Sequence, residues 1–270
     1  MENTLSPKVI VDEEHIYIAG WKEVSLVDII EHTSFTLWTA FCNFNCPWCS
    51  NSLLARGLGG RKVHVNTVIS ALEEAKDFVD FLHVTGGEPT LQYKPLKYIL
   101  NYSKTKLNIK TSIATNGSNP NVIGSLASIL DHVALDVKAP LNNAEKYSKV
   151  IGLPVKTTKR IIPRIAESIK VSIEKIFFVE IRTTMIPKLV EAKEIEEIAY
   201  NISEIVSKAK GKVVYVVQQF IPYENILDEK YRKMKRTDPE KVVEAAKKAA
   251  EILPIKVYFR TLEYGTKQIR

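Results

Sequence analysis

Apolar, strand-like runs that alternate with amphipathic helical stretches constrain this chain more than any other feature. The runs are Phe35 to Phe41, Phe81 to Thr85, Asn108 to Ala114, His132 to Val137, Ile176 to Thr184, Val213 to Phe220 and Ile255 to Arg260. Between them, apolar positions recur at three and four residues: Val68, Leu72, Ala75 and Val79 in one stretch, and Ile195, Ile198, Ala199, Ile202, Ile205 and Val206 in another. Asn119-Pro120 and Asp238-Pro239 each place a capping side chain before a proline suited to the first helical position. The alternation predicts an α/β fold of parallel β/α units, with too many repeats for a sandwich. A doubly wound sheet would also accommodate them; a partial (β/α)6 TIM-like barrel is the architecture expected. A short N-terminal β-hairpin, VIVDEEHIYIAGW, precedes it. No Gly/Ser- or Pro-rich linker divides the chain, so a single domain over 1–270 is expected. Within it the hairpin lies at about 8–21, the barrel core at about 33–222 and a C-terminal helix-strand extension at about 223–270.

The 270 residues can bury a sizeable core, and 45% hydrophobic with 26% charged residues is ordinary for a soluble protein. No run approaches the ~18 apolar residues of a membrane span. The excess of 38 basic over 31 acidic residues, +7, fits contact with nucleic acid, nucleotides or acidic protein surfaces, and equally a Lys/Glu-rich surface adapted to heat. The three cysteines are too few and too close for a disulfide framework, and the N-terminus lacks the basic and apolar regions of a signal peptide. A cytoplasmic location in a reducing compartment is expected.

In sheets of this kind ligands sit at the carboxyl ends of the strands, so the residues just after each run carry the chemistry. After the first run comes Cys42-Asn-Phe-Asn-Cys46-Pro-Trp-Cys49. Three thiolates on one short loop can bind three irons of a [4Fe-4S] cluster and leave the fourth iron open to substrate. Structural zinc normally takes four protein ligands, so a zinc reading needs a fourth, such as His64 or His32. The loop resembles that of the radical S-adenosylmethionine (SAM) enzymes. That resemblance implies a [4Fe-4S] cluster that chelates SAM and cleaves it to methionine and a 5′-deoxyadenosyl radical. Trp48 is similar to the aromatic that family sets against the adenine, and would also serve as an apolar wedge shielding the cluster.

The second run ends in Val84-Thr85-Gly86-Gly87-Glu88-Pro89-Thr90, where bare backbone admits a ligand and a carboxylate can accept from an ammonium group. Gly86, Gly87 and Glu88 resemble the radical SAM segment that holds the methionine amino group. Ala114-Thr115-Asn116-Gly117 resembles the Asp-Thr-Asn-Gly turn of glycyl-radical-enzyme activases, with Ala114 in place of the aspartate; Thr115 and Asn116 are implied SAM contacts. Asp136 and Lys138 share a face by period-two alternation, and by similarity to the activases' Asp-x-Lys element they point toward the SAM carboxylate. Glu180 and Arg182 also share a face. Arg182 resembles the arginine that approaches SAM in that group, and a salt bridge to Glu180 or Asp136 is the alternative. Gln218 and Gln219 extend the polar theme on the sixth run, lining the cavity or satisfying backbone groups.

From the hairpin to about Pro222 the order of VTGGEPTLQ, ATNGSNP, ALDVKAPL, EIRTTMIP and QQF resembles the activating protein of anaerobic ribonucleoside-triphosphate reductase. The resemblance implies an oxidoreductase that takes hydrogen from a glycine of that partner enzyme and leaves a glycyl radical, fed by a one-electron donor such as ferredoxin or flavodoxin. A second expectation is a radical SAM enzyme acting on a purine-like small molecule or tRNA, supported by the basic run Lys230-Tyr-Arg232-Lys233-Met-Lys235-Arg236, which would equally form a solvated face. A non-catalytic iron-sulfur carrier is the third, and the SAM-like set beyond the cysteines argues against it.

Overall fold

The computed structural model describes residues 12–269. β1 (His15–Ile29) reverses through Ile30 and Glu31, the latter at φ 64°, into β2 (His32–Thr39). The chain then forms α1 (Ser52–Ala55), β3 (Arg61–His64) and α2 (Val65–Ala75). Strand and helix alternate from there: β4 (Phe81–Gly86), α3 (Tyr93–Thr105), β5 (Lys110–Thr115), α4 (Pro120–Leu126) and β6 (His132–Asp136). Two helices, α5 (Ala144–Ile151) and α6 (Val155–Lys175), precede β7 (Phe178–Met185), followed by α7 (Ala192–Val206) and β8 (Lys212–Gln219). The C-terminal part is α8 (Glu229–Arg232), α9 (Pro239–Ile252), β9 (Lys256–Thr261) and β10 (Gly265–Gln268).

All these strands share one mixed, unclosed sheet in the order β10-β9-β8-β7-β6-β5-β4-β2-β1-β3. β2 and β4 to β9 are consecutive parallel neighbours, so each of the apolar runs is a strand of the partial barrel. The N-terminal hairpin is placed differently from the expectation. Its first arm, Val9 to Val11, lies outside the described residues; its second arm is the start of β1, whose antiparallel partners among the described residues are β2 and β3. Gly20 does not end that strand: a register shift between Ile18 and Gly20 absorbs it, and the strand runs on to Ile29. The reversal at Ile30-Glu31 is the hairpin that forms.

Period-two alternation divides the strand side chains between two cores. Leu82, Val84, Ile113, Val133 and Ile181 face the helices, against stripes such as Val68, Leu72, Ile99 and Ile198. The opposite face carries a smaller apolar cluster of Ile29, Ile30, Phe81, Phe178, Val214 and Tyr258, the β1–β2 turn filling one end of the barrel interior. Of the two expected helix caps, Asp238 accepts from the Glu240 N–H at 3.0 Å. Asn119 makes no cap; its amide donates to Thr90 Oγ1 at 2.7 Å and its oxygen accepts from Arg164.

A polar layer crosses the barrel interior above the apolar floor. Ser112 Oγ lies 2.7 Å from Nδ1 of both His83 and His132, and His132 Nε2 is 3.4 Å from Glu180 Oε1. Glu180 accepts the Ile30 N–H at 2.9 Å and pairs with Arg182, which donates to the Asp28 carbonyl. These bonds fasten the hairpin to β7 across the gap that the sheet's own ladder leaves open.

Candidate active site

The cysteine loop is held by backbone. Cys42 N–H donates to Ala55 O at 2.8 Å, and Asn45 N–H to Ile151 O at 2.9 Å, anchoring the loop on α1 and on the end of α5. Two glycines permit this approach. A Cβ on Gly87 would stand 2.0 Å from Phe41 O, the carbonyl that accepts the Glu88 N–H at 2.7 Å. One on Gly152, at φ +67°, would stand 1.9 Å from Asn45 O. All three thiols are free and border one cavity of about 220 Å³ at the carboxyl ends of the parallel strands. Burial, with the nearby Glu88, pushes the Cys42 thiol up to about 12; burial also raises Cys46 and Cys49. Loading a metal there must displace protons.

The same cavity gathers residues from the ends of five other strands, β4 to β8. Gly86 and Gly87 border it at the end of β4, Thr115 and Asn116 at the end of β5, Asp136 and Lys138 around the end of β6. Asn116 Nδ2 donates to Asn43 Oδ1 at 2.9 Å and lies 3.8 Å from Cys42 Sγ, so the third turn abuts the cysteine loop. Lys138 Nζ is 2.7 Å from Asp136 Oδ2 and 5.2 Å from the centre of the Trp48 ring. Burial works against the Lys138 charge, but the Asp136 carboxylate overrides it and raises the ammonium above its ordinary value. Trp48 itself borders the cavity, its indole N–H donating to Val150 O at 2.9 Å.

Glu88 and Arg182 are placed elsewhere. Glu88 is wholly buried: Oε1 accepts from Thr90 N–H, Thr90 Oγ1 and Thr115 Oγ1 at 3.1, 2.5 and 2.8 Å, and Oε2 from the Asn116 N–H at 2.7 Å. Its acceptors are spent tying the β4 turn to the β5 turn, and it borders no part of the cavity. Arg182 sits one layer deeper, its guanidinium on Glu180 and the Asp28 carbonyl; of the alternatives read from sequence, the salt bridge to Glu180 is the one present.

Thr85, Thr184 and Asn43 escaped the sequence reading. Thr85 and Thr184 turn into the cavity from the strand ends, while Asn43 joins the cysteine loop to Ser118 and Asn116. The strand alternation that assigned Asp136 inward also assigns Thr184, two residues past Arg182. Gln218 borders the cavity, whereas Gln219 turns away to Thr237 O and the Leu262 N–H.

The donor set suits a cluster better than a single ion. Among the described residues no three His, Cys, Asp or Glu groups converge as ligands of one metal. His64 caps α2 and stacks edge-on with His15, and His32 lies 3.5 Å from Asp80, so neither histidine offers the thiols a fourth ligand. Three thiols around a shared space fit three different irons of a cubane, with a corner left for a ligand. The half-buried ammonium–carboxylate pair and bare glycine backbone beside them suit a zwitterionic, sulfur-bearing nucleoside.

A half-open parallel barrel with its only three cysteines at the end of its first parallel strand defines a class of iron-sulfur enzyme, and comparison with known proteins gives the class its name. The family model of the radical SAM superfamily matches residues 36–200, more than half of the chain, which belongs to that superfamily. Its cofactors are a [4Fe-4S] cluster and S-adenosylmethionine. Two proteins of Methanocaldococcus jannaschii, each provisionally named a glycyl-radical enzyme activating enzyme, are similar along most of their length. One is 29% identical over 256 residues, 93% of this chain and 98% of the relative; the other is 27% identical over 232 residues, 83% and 82%. A 7-carboxy-7-deazaguanine synthase of Thermococcus kodakarensis is 39% identical over 54 residues, 20% of this chain and 21% of the relative. The fold is also that of HydG, a maturase of the [FeFe]-hydrogenase, at a TM-score of 0.57 and 13% identity, covering 82% of this chain and half of HydG's length (50%).

Proposed function

We propose that this chain is a glycyl-radical-enzyme activase whose partner is an anaerobic ribonucleotide reductase. The observation that carries the reading is the convergence of the thiols, Gly86-Gly87, Thr115-Asn116 and Asp136-Lys138 on one cavity, together with likeness over more than four-fifths of the chain to two relatives named for that activity. Cys42, Cys46 and Cys49 would hold the cluster. When bound, it supplies the electron for reductive cleavage of SAM to methionine and a 5′-deoxyadenosyl radical. The chain's own groups position the substrate. The bare Gly86-Gly87 backbone accommodates the methionine amino end, the Lys138 ammonium neutralises the carboxylate with Asp136 fixing its direction, and the Trp48 face packs on the adenine. Phe44, buried on the cavity wall, keeps water from the reacting centre. The 5′-deoxyadenosyl radical would take a hydrogen atom from a glycine Cα of the partner, leaving 5′-deoxyadenosine and a glycyl radical.

A second reading, chemistry on a purine-like molecule or tRNA, draws on the short likeness to the deazaguanine synthase. One experiment separates the two. Anaerobically reconstituted protein with dithionite should form 5′-deoxyadenosine, and a candidate reductase added to it should develop a glycyl doublet in electron paramagnetic resonance. Turnover stimulated by a deazapurine precursor or tRNA, with no doublet, selects the second reading.

A further inference from the structure

A second concavity, about 530 Å³, lies at the carboxyl end of β7, between the β7–α7 loop and the segment leading into α9. β7 connects the two: Thr184 turns into the thiol cavity and the next residue, Met185, into this groove. Its floor is apolar, with Met185, Pro187 and the half-buried Met234. Its rim is cationic, with Lys188, Lys230, Lys235, Arg236 and Lys241.

Few of these charges are neutralised internally. Arg236 pairs with Glu263 at 2.9 Å. Among the described residues, none of the four rim lysines has a carboxylate within ion-pair distance. The groove's own carboxylates serve the backbone: Glu191 accepts the Lys188 N–H and the N3 amide of α7, and Asp238 caps α9. The basic run from Lys230 to Arg236 is therefore not spent on internal pairs alone, although Lys233 is paired with Glu229.

Resting on the activase reading, we propose that this groove docks an acidic, apolar-bearing polypeptide segment of the partner enzyme, so that its reactive glycine is presented at the adjoining mouth. The chemistry favours peptide over nucleic acid. Flexible methionines adapt to apolar side chains, no aromatic ring lines the groove for a base to stack on, and the cations are gathered round one pocket rather than strung along a phosphate track.

The probe is a short fluorescein-labelled peptide of alternating Glu and Leu, read by anisotropy on cluster-loaded enzyme, beside its Lys/Leu counterpart and a labelled oligouridylate. The Glu/Leu peptide should bind with an affinity that falls as salt rises, the Lys/Leu peptide should not, and combined K188E, K235E and K241E should weaken binding about tenfold or more. Met234→Gln should weaken it without changing the salt dependence. Partner-free 5′-deoxyadenosine formation should be unchanged in every variant, since none of these residues borders the thiol cavity. If the charge reversals do not fold, the corresponding Lys→Gln set decides, with a smaller loss expected. Unchanged peptide affinity in the variants, or oligouridylate binding that the variants abolish while peptide does not bind, overturns the proposal. Failure of the wild type to cleave SAM would instead overturn the activase reading, a result the peptide titration does not depend on.

Discussion

The Glu88 carboxylate accepts four hydrogen bonds from two turns that both border the active cavity. Burial raises its carboxyl, and the Asn116 amide with the two threonines works against that. Glu88→Gln keeps the shape but turns an amide NH2 toward a donor, so at least one buried donor loses its acceptor. A loss of about 1–3 kcal/mol in urea unfolding is expected, with weaker SAM binding following from displaced turns. Unchanged stability alongside lost SAM binding would show the carboxylate holding ligand instead. Deeper in the barrel, burial holds His83 down to about 3 and lowers His132, in contact with Ser112, Phe81, Phe178 and the Asp28, Glu180 and Arg182 charges. The unfolded chain protonates both imidazoles near pH 6.5, so it binds more protons than the folded one. Stability is then fully present above that pH and lost as pH falls toward the folded values. Glu180, which burial would raise but Arg182 holds well below its usual range, adds loss in the same direction below about pH 4.5. Urea midpoints between about pH 7.5 and pH 5 should fall, with a slope of at most about 1.4 kcal/mol per pH unit for each histidine. A flat profile would mean that the imidazoles take protons without unfolding.

At the level of elements, α5 and the cysteine loop are one device. The helix ends at Gly152 in the left-handed region, and the Ile151 carbonyl just before it receives the Asn45 N–H between the first two thiols. Gly152→Ala adds a methyl group 1.9 Å from the Asn45 carbonyl carbon's oxygen as well as backbone strain. It should cost more than ~1 kcal/mol of stability and, by shifting the loop, lower the iron bound per chain on reconstitution, measured by metal analysis and the cluster's visible absorption. Full iron loading would refute the coupling. Nothing in the local sequence announces this contact, because it joins residues more than a hundred positions apart. The parallel strands were legible for the opposite reason: a strand buried on both faces writes itself as a continuous apolar run. Only the start of β1 was, where Ile16 and Ile18 alternate with less buried neighbours; past Gly20 the strand was not, since Lys22, Glu23, Val24, Leu26 and Val27 are all exposed and leave no alternation to read. Motif order revealed which turns converge on the cavity. It did not reveal that Glu88 spends its oxygens on neighbouring amides, or that Arg182 stops one layer short, because inward direction is set by strand period while depth is set by the register between strands.

For the whole molecule, the question is whether the segment from 223 onward is an appendage or part of the barrel. β9 continues the parallel ladder from β8, with Val214 opposite Lys256 through Gln218 opposite Arg260, and Gln218 borders the active cavity. α9 buries Val242, Ala245, Ala246 and Ala249 in the main core, which also takes Val257 and Phe259. Each large apolar side chain so buried is worth about 1.5–3 kcal/mol. Removing Val242, Val257 and Phe259, and uncovering the wholly buried Tyr215 and Val217 of β8, therefore costs as much as the ~5–15 kcal/mol that holds a typical domain folded. We infer that the chain unfolds as one cooperative unit. Calorimetry should show a single transition whose van't Hoff and calorimetric enthalpies agree. A chain ending at residue 222 should lack native near-ultraviolet circular dichroism and fail to load iron. A truncated chain that folds and retains the cluster would make the extension a separate module. The groove formed by the segment between β8 and α9 would then be an addition to a self-sufficient barrel, whereas a single transition makes the docking wall and the cavity it adjoins one body, held in fixed register by the same core.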